Sequence, residues 1–93
     1  MDEKILEKLS ELEHIQWCEW SQAVSKELYL LLDILDNFED ELSEKDLLTV
    51  SRIKDKLIRW NDLWVDYSEL SEVEKDKDRV YARKALTIFD EKI

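Results

Sequence analysis

Apolar side chains recur every three or four residues along most of the chain, which is the spacing of one face of an α-helix. Gly and Pro, the residues that most often interrupt helices, are absent. The pattern predicts helices over about residues 3–36, 44–65 and 72–92, and no segment alternates between apolar and polar positions as a strand would. We therefore predict an all-α fold, a small bundle of three to four helices forming a single domain over residues 1–93.

The first predicted helix is unusually long, because residues 3–36 would extend about 50 Å at 1.5 Å per residue. Either it breaks near residues 21–25, or it continues and packs against another chain. Its apolar positions include Leu28, Leu31 and Leu35. If the helix is continuous, these positions would form a homodimer through the first helix.

The ends of the helices carry local signals. Asn37 is the best candidate for a left-handed C-cap in a chain without Gly. Ser43 with Asp46 and Ser71 with Glu74 predict the starts of the second and third helices. We expect the last helix to turn six side chains inward: Val73, Val80, Tyr81, Ala85, Ile88 and Phe89. The four tryptophans lie on predicted apolar faces and are expected in the core: Trp17, Trp20, Trp60 and Trp64.

Charge changes this picture more than composition does. The 93 residues carry 24 acids against 14 bases, a net charge of −10, which argues against direct nucleic-acid binding. Residues 33–46 hold seven acids and one base, whereas residues 47–93 are neutral. This segment is either a solvated helix end and loop or a binding surface for a basic partner. Its candidate binding residues are Asp33, Asp36, Glu39, Asp40, Glu41 and Glu44.

Candidate chemistry is sparse. His14 and Cys18, four residues apart, share a helix face, but no second His or Cys is present to complete a structural zinc site. A nucleophilic Cys–His pair lacks an evident third orienting group. We therefore expect no enzyme, no catalytic residue, no metal and no cofactor. No apolar run reaches membrane-spanning length and the N-terminus does not resemble a signal peptide, so we expect a cytoplasmic protein without membrane contact.

One basic row remains. Lys75, Arg79 and Arg83 follow each other at steps of four, so they share one face of the last helix. Such a row calls for a compensating anion. The acidic segment 33–46, solvent, or a bound phosphate or nucleotide held with Tyr67 could supply it.

Two blocks of sequence carry a family resemblance. The first is Leu9-x-x-Leu12-Glu13-His14-x-x-Trp17-x-x-Trp20. The second runs from Arg59-Trp60 through Tyr67-Ser68-Glu69-Leu70-Ser71-Glu72-x-Glu74-Lys75-x-x-Asp78-Arg79 to Leu86. Together they resemble small uncharacterised proteins of tailed phages and prophages and, more distantly, the ryanodine-receptor (RyR) domain. The resemblance implies a small helical module in a bacterial host, without an established catalytic role. It associates some members with nucleotide-type ligands.

The residues of these blocks also have a structural interpretation, in which a latch joins the first and last helices. Its members are His14, Trp17, Tyr67, Asp78 and Arg79.

Three functional hypotheses follow. The first is a non-enzymatic phage-type protein whose acidic half contacts or inhibits a basic host protein, such as a nucleic-acid-handling complex. The second is a nucleotide- or phosphate-binding module that uses the basic row and Tyr67. The third is a dimeric structural or accessory phage protein.

Overall fold

The structure, a computed structural model, describes residues 3–91 of the chain. Three α-helices contain most of these residues: α1 (Glu3–Asp36), α2 (Glu44–Asp62) and α3 (Glu72–Glu91). Two short 3₁₀ turns, Glu39–Glu41 and Tyr67–Glu69, lie in the connections. Residues 3–91 contain no strand, and the all-α prediction is confirmed.

The first helix is continuous and does not break near residues 21–25. Ser21 and Ser25, the residues that suggested a break, are both buried. The second helix ends at Asp62, three residues before the predicted end. Its last turn tightens, because the amide of Leu63 donates to the carbonyl of Trp60 three residues back.

The prediction of a left-handed cap at Asn37 is wrong, because no residue in the described part of the chain has a positive φ. The amides of Asn37 and Phe38 instead donate three residues back, to Ile34 and Leu35. A left-handed residue other than glycine costs roughly 1–2 kcal/mol. In a chain without glycine, ending the helix with a tightened turn therefore costs less free energy. The caps at Ser43 and Ser71 do form, each accepting an amide hydrogen bond from the residue three positions on.

The chain forms two compact units. The central unit is Trp20–Trp64, which contains the second half of α1 and all of α2. The terminal unit comprises residues 3–19 and 65–91 among those described, with the first half of α1 and all of α3. The single-domain expectation stays a prediction.

In the central unit the two helices form a hairpin over a small apolar core. Leu32 of α1 and Leu57 of α2 are buried. At the open end of the hairpin the indole Nε1–H of Trp64 donates to the Oγ of Ser21 at 2.9 Å. A half-buried tryptophan commonly finds such a partner for its polar edge, and a serine leaves room for the large ring.

In the terminal unit the buried apolar residues are Tyr67, Leu70 and Ala82. The predicted inward face of α3 is wrong, because its six residues are all exposed: Val73, Val80, Tyr81, Ala85, Ile88 and Phe89. The covered face carries polar side chains, including Lys75, Asp78 and Arg79. Hydrophobic spacing cannot detect a face that is covered through charge pairing.

Candidate functional site

The covered face of α1 is a polar seam, which we define as Glu7, Ser10, His14, Cys18, Ser21 and Ser25. These residues follow one another at steps of three or four, so they share one side of the helix. Four of them are buried: Ser10, His14, Ser21 and Ser25. The first four positions of the seam, from Glu7 to Cys18, belong to the terminal unit, where they form a polar cluster with side chains of the connector and α3.

His14 is the most buried ionisable side chain of this cluster, with 4% of its surface exposed. Its Nε2 lies 2.6 Å from the carbonyl oxygen of Val65. Since a carbonyl only accepts, Nε2 carries the proton and donates it. On the other side of the ring, Nδ1 lies 3.7 Å from Oδ2 of Asp78. The imidazole thus bridges α1 to the connector and to α3.

The neighbouring thiol is not arranged for nucleophilic chemistry. The Sγ of Cys18 lies 3.4 Å from Nε2 of His14, but that nitrogen already donates to Val65 and cannot take the thiol proton. Burial, with a smaller contribution from Asp78, raises the pKa of the Cys18 thiol. A nucleophile needs the opposite shift. His14 and Cys18 therefore give no support to an enzyme.

A second network joins both ends of the chain through Glu7. The hydroxyl of Tyr67 donates to Oε2 of Glu7 at 2.8 Å, and Nε of Arg79 donates to Oε1 at 2.7 Å. The hydrogen bond from Arg79, followed by that from Tyr67, lowers the pKa of Glu7. Burial is the largest cause that raises the pKa of Tyr67.

Arg79 is held by two further carboxylates on its own helix. Its NH1 lies 2.8 Å from both Oε2 of Glu72 and Oδ1 of Asp76. Hydrogen bonds to Glu7, Asp76 and Glu72 raise the pKa of the guanidinium further above its ordinary value. The expectation that the acidic segment 33–46 supplies the counter-charges of the row is therefore wrong at Arg79.

The structure places the proposed ligand residues in a setting that does not favour an anion. Lys75 Nζ lies 5.4 Å from the centroid of the Tyr67 ring and 3.7 Å from Glu72. Arg79 is surrounded by three carboxylates, whereas Arg83 is exposed. An incoming phosphate would have to displace carboxylates that already occupy the strongest donor. The nucleotide hypothesis stays a prediction without support from this geometry.

The five residues proposed as a latch come together in the terminal unit. The His14 ring stacks near Trp17, with centroids 6.1 Å apart, and lies 6.4 Å from the ring of Tyr67. Asp78 faces His14, and Arg79 bonds to Glu7. Sequence reasoning missed Glu7, although its position seven residues before His14 on the same helix face was a usable signal. The carbonyl of Val65 is a backbone group and has no sequence signal.

The acidic segment lies in the central unit, at the closed end of the hairpin. Its six candidate carboxylates are all exposed: Asp33, Asp36, Glu39, Asp40, Glu41 and Glu44. Asp36 accepts a hydrogen bond from Lys54 Nζ at 3.2 Å, and no other ion pair of this set occurs within residues 3–91. The 3₁₀ turn Glu39–Glu41 keeps three consecutive acids together.

Large apolar side chains stand beside these acids. Leu30 is 60% exposed, Ile34 56% and Phe38 49%. Of the residues proposed for a homodimer through the first helix, Leu28 and Leu35 are half-buried within the hairpin, and Leu31 is exposed. The outward apolar face of α1 is therefore centred on Leu30 and Ile34.

Other kinds of site find no support in the described chain. No group of three or more His, Cys, Asp or Glu side chains within residues 3–91 is arranged to hold a metal ion. Nor is any helix in that range both long and apolar enough to cross a membrane.

Comparisons with known proteins leave the family open. No family model matches the chain, and searches of the curated proteins and of the solved structures find no match.

Proposed function

We propose that this chain is a non-enzymatic binding protein whose acidic segment contacts a basic surface on a partner protein. The observation that carries the proposal is that exposed acids and exposed apolar side chains lie together. The segment has six exposed carboxylates, and only Asp36 is in an ion pair within the described residues. Leu30, Ile34 and Phe38 are exposed beside them. Leu30 and Ile34 lie in the last turns of α1 and Phe38 lies in the turn that follows, next to the acids. An interface combines such apolar contact with a polar rim.

The charges and the apolar residues have separate tasks in this proposal. Exposed carboxylates steer a basic partner into encounter and raise the association rate. The apolar side chains then lose water on contact, at roughly 25 cal/mol per Å² of apolar surface covered. The resemblance to phage and prophage proteins makes a bacterial host protein the first partner to seek, in the cytoplasm.

The test compares three forms of the protein immobilised against a bacterial lysate. One is the wild type. The second carries amides in place of five acids of the segment: Asp33, Asp36, Glu39, Asp40 and Glu41. The third is a matched control with amides in place of five exposed acids elsewhere: Glu11, Glu19, Asp66, Glu69 and Asp90. Both variants lose the same charge, so only position differs.

We expect the wild type and the control to capture the same basic partner, and the segment variant to lose it. With the purified partner, the association rate should fall steeply as salt shortens the Debye length from about 10 Å at 0.1 M to about 3 Å at 1 M. If no specific partner is captured at low salt, or if the segment variant captures it at an unchanged rate, the proposal is wrong.

A further inference from the structure

The outward face of α2 carries a basic stripe that nothing within the described chain covers. Arg52, Lys56 and Arg59 follow one another at steps of four and three, which puts them on one side of the helix, and all three are exposed. Lys54, on the flank of the helix, pairs with Asp36, but no ion pair of the stripe residues is present in residues 3–91.

An apolar side chain accompanies this stripe. Leu48, four residues before Arg52 and therefore on the same side of the helix, is 53% exposed. Asp55 lies between the two arginines on the same face, and Asp62 lies three residues after Arg59. The three cations of the stripe outnumber these two acids, so the stripe keeps an excess of positive charge. The face therefore combines cations with uncovered apolar surface, and it fits an occupant that combines carboxylates with apolar side chains.

The chain itself carries such an occupant. Residues 33–46 have a net charge of −6 from seven acids and one base, and they include exposed Ile34 and Phe38. Nucleic acid is the poorer occupant, because phosphates would meet a protein of net charge −10 whose acidic segment belongs to the same unit.

We infer that the basic stripe of α2 in one copy binds the acidic segment 33–46 of a second copy. The inference rests on the proposed function, because it names a basic partner for that segment. Each copy presents both surfaces on its central unit, so two copies can use them reciprocally about a two-fold axis. Such a reciprocal contact closes a dimer, the commonest symmetric assembly.

A charge-exchange experiment tests this contact on the full chain. The stripe variant replaces Arg52, Lys56 and Arg59 with Glu. The segment variant replaces Asp33, Glu39, Asp40 and Glu41 with Lys, which changes the charge of residues 33–46 from −6 to +2. Alone, each variant presents two surfaces of like charge and should be monomeric. Mixed in equal amounts, each variant finds its complement on the other, so the mixture should associate again. Light scattering and analytical ultracentrifugation at low salt measure the mass.

The control for net charge replaces Lys8, Arg83 and Lys84 with Glu, three exposed cations of the terminal unit. It reaches the same net charge as the stripe variant, and it should dimerise like the wild type. Circular dichroism on every form checks that the helices remain. The wild type should shift from dimer towards monomer as salt is added, because the contact is electrostatic.

Three results would overturn the inference: a wild type that is monomeric at low salt up to the highest soluble concentration, single variants that dimerise normally, or a mixture that stays monomeric. The two proposals fail separately. A protein that self-associates through these two surfaces but captures no lysate protein removes only the host partner. A wild type that captures a lysate protein through its segment but never self-associates removes only the dimer. A protein that does neither removes both.

Discussion

The imidazole of His14 and the carboxylate of Asp78 face each other across 3.7 Å in the terminal unit, with only 5% and 18% of their side chains exposed. The separation exceeds a hydrogen bond, so the imidazole does not hold the carboxylate by a direct bond. Burial is the largest cause acting on Asp78 and raises its pKa above 3.8, while His14 acts in the opposite direction. Because the pKa of Asp78 is raised in the folded state, the free energy of unfolding depends on pH.

The free energy of unfolding of Asp78→Asn should diverge from that of the wild type as pH rises. A carboxyl with a raised folded pKa holds its proton better in the folded state, so its contribution is complete below the unfolded value and is lost as pH passes through the folded pKa. The free energy of unfolding of the variant, relative to wild type, should therefore increase over the acidic range and then level off. One pKa unit is worth about 1.4 kcal/mol, which sets the scale.

Urea denaturation at a series of pH values measures this difference. Asp33→Asn is the control, because Asp33 is exposed; its difference from wild type should stay nearly flat. A difference for Asp78→Asn that falls with rising pH would mean that His14 outweighs burial.

His14→Ala should destabilise the protein by about 1–3 kcal/mol, since the carbonyl of Val65 would lose a buried donor. Gln16, on the exposed side of the same helix, provides the control, and Gln16→Ala should change stability by less than about 0.5 kcal/mol. Equal midpoints for both variants in chemical denaturation would contradict a structural role for the imidazole.

The fold was predictable because its determinants are local. The absence of Gly and Pro, the caps at Ser43 and Ser71, and the apolar period in α2 each act within a few residues. Which faces of α1 and α3 are covered could not be predicted in this way. The seam of α1 buries Ser10, His14, Ser21 and Ser25, and a search for apolar periodicity passes over such residues.

The candidate sites show the same division. The exposure of the acidic segment follows from its charge density, so it could be predicted from the sequence. The partners of Arg79 could not be predicted, because Glu7 is 72 positions away in the chain and Glu72 and Asp76 bond to the same guanidinium. With 24 acids in the chain, spacing alone cannot select these three.

Arg79→Gln should lower the denaturation midpoint more at neutral pH than at acidic pH. Without the guanidinium, three carboxylates remain close together and repel when ionised: Glu7, Glu72 and Asp76. Arg79 lowers the pKa of Glu7 and Glu72, so their stabilising contribution is present above the unfolded value and is lost as pH falls through the folded pKa. Arg83→Gln, on the exposed side of α3, should show no such pH dependence. A loss for Arg79→Gln that is equal at both pH values would contradict this account.

Nucleotides should not raise the melting temperature of the wild type. A ligand present at 100 times its dissociation constant would add about 2.7 kcal/mol of stability, which a thermal shift detects easily. We expect no shift because Arg79 is already bound by carboxylates. A nucleotide-dependent shift that Arg79→Gln abolishes would instead establish the basic row as a ligand site.

Two tryptophans at the open end of the central hairpin should respond differently to the same substitution. Trp64 is half-buried and its indole Nε1–H donates to the Oγ of buried Ser21 at 2.9 Å. The expectation that Trp20 lies in the core is wrong, because 57% of its surface is exposed. Its ring centroid lies 5.9 Å from that of Trp60. Trp64→Phe removes the donor to buried Ser21 together with ring area, whereas Trp20→Phe reduces a ring that is mostly exposed to water.

We therefore expect Trp64→Phe to cost about 1–3 kcal/mol in the free energy of unfolding and Trp20→Phe less than about 0.5 kcal/mol. Adding Ser21→Ala to each variant isolates the hydrogen bond. In the Trp64→Phe background this second change should cost less than in the wild type, because the donor to Ser21 is already gone, whereas in the Trp20→Phe background its cost should be unchanged. Urea denaturation of the single and double variants gives both coupling energies. If Trp64 shows no coupling to Ser21, the indole hydrogen bond does not contribute to holding α1 against the end of α2.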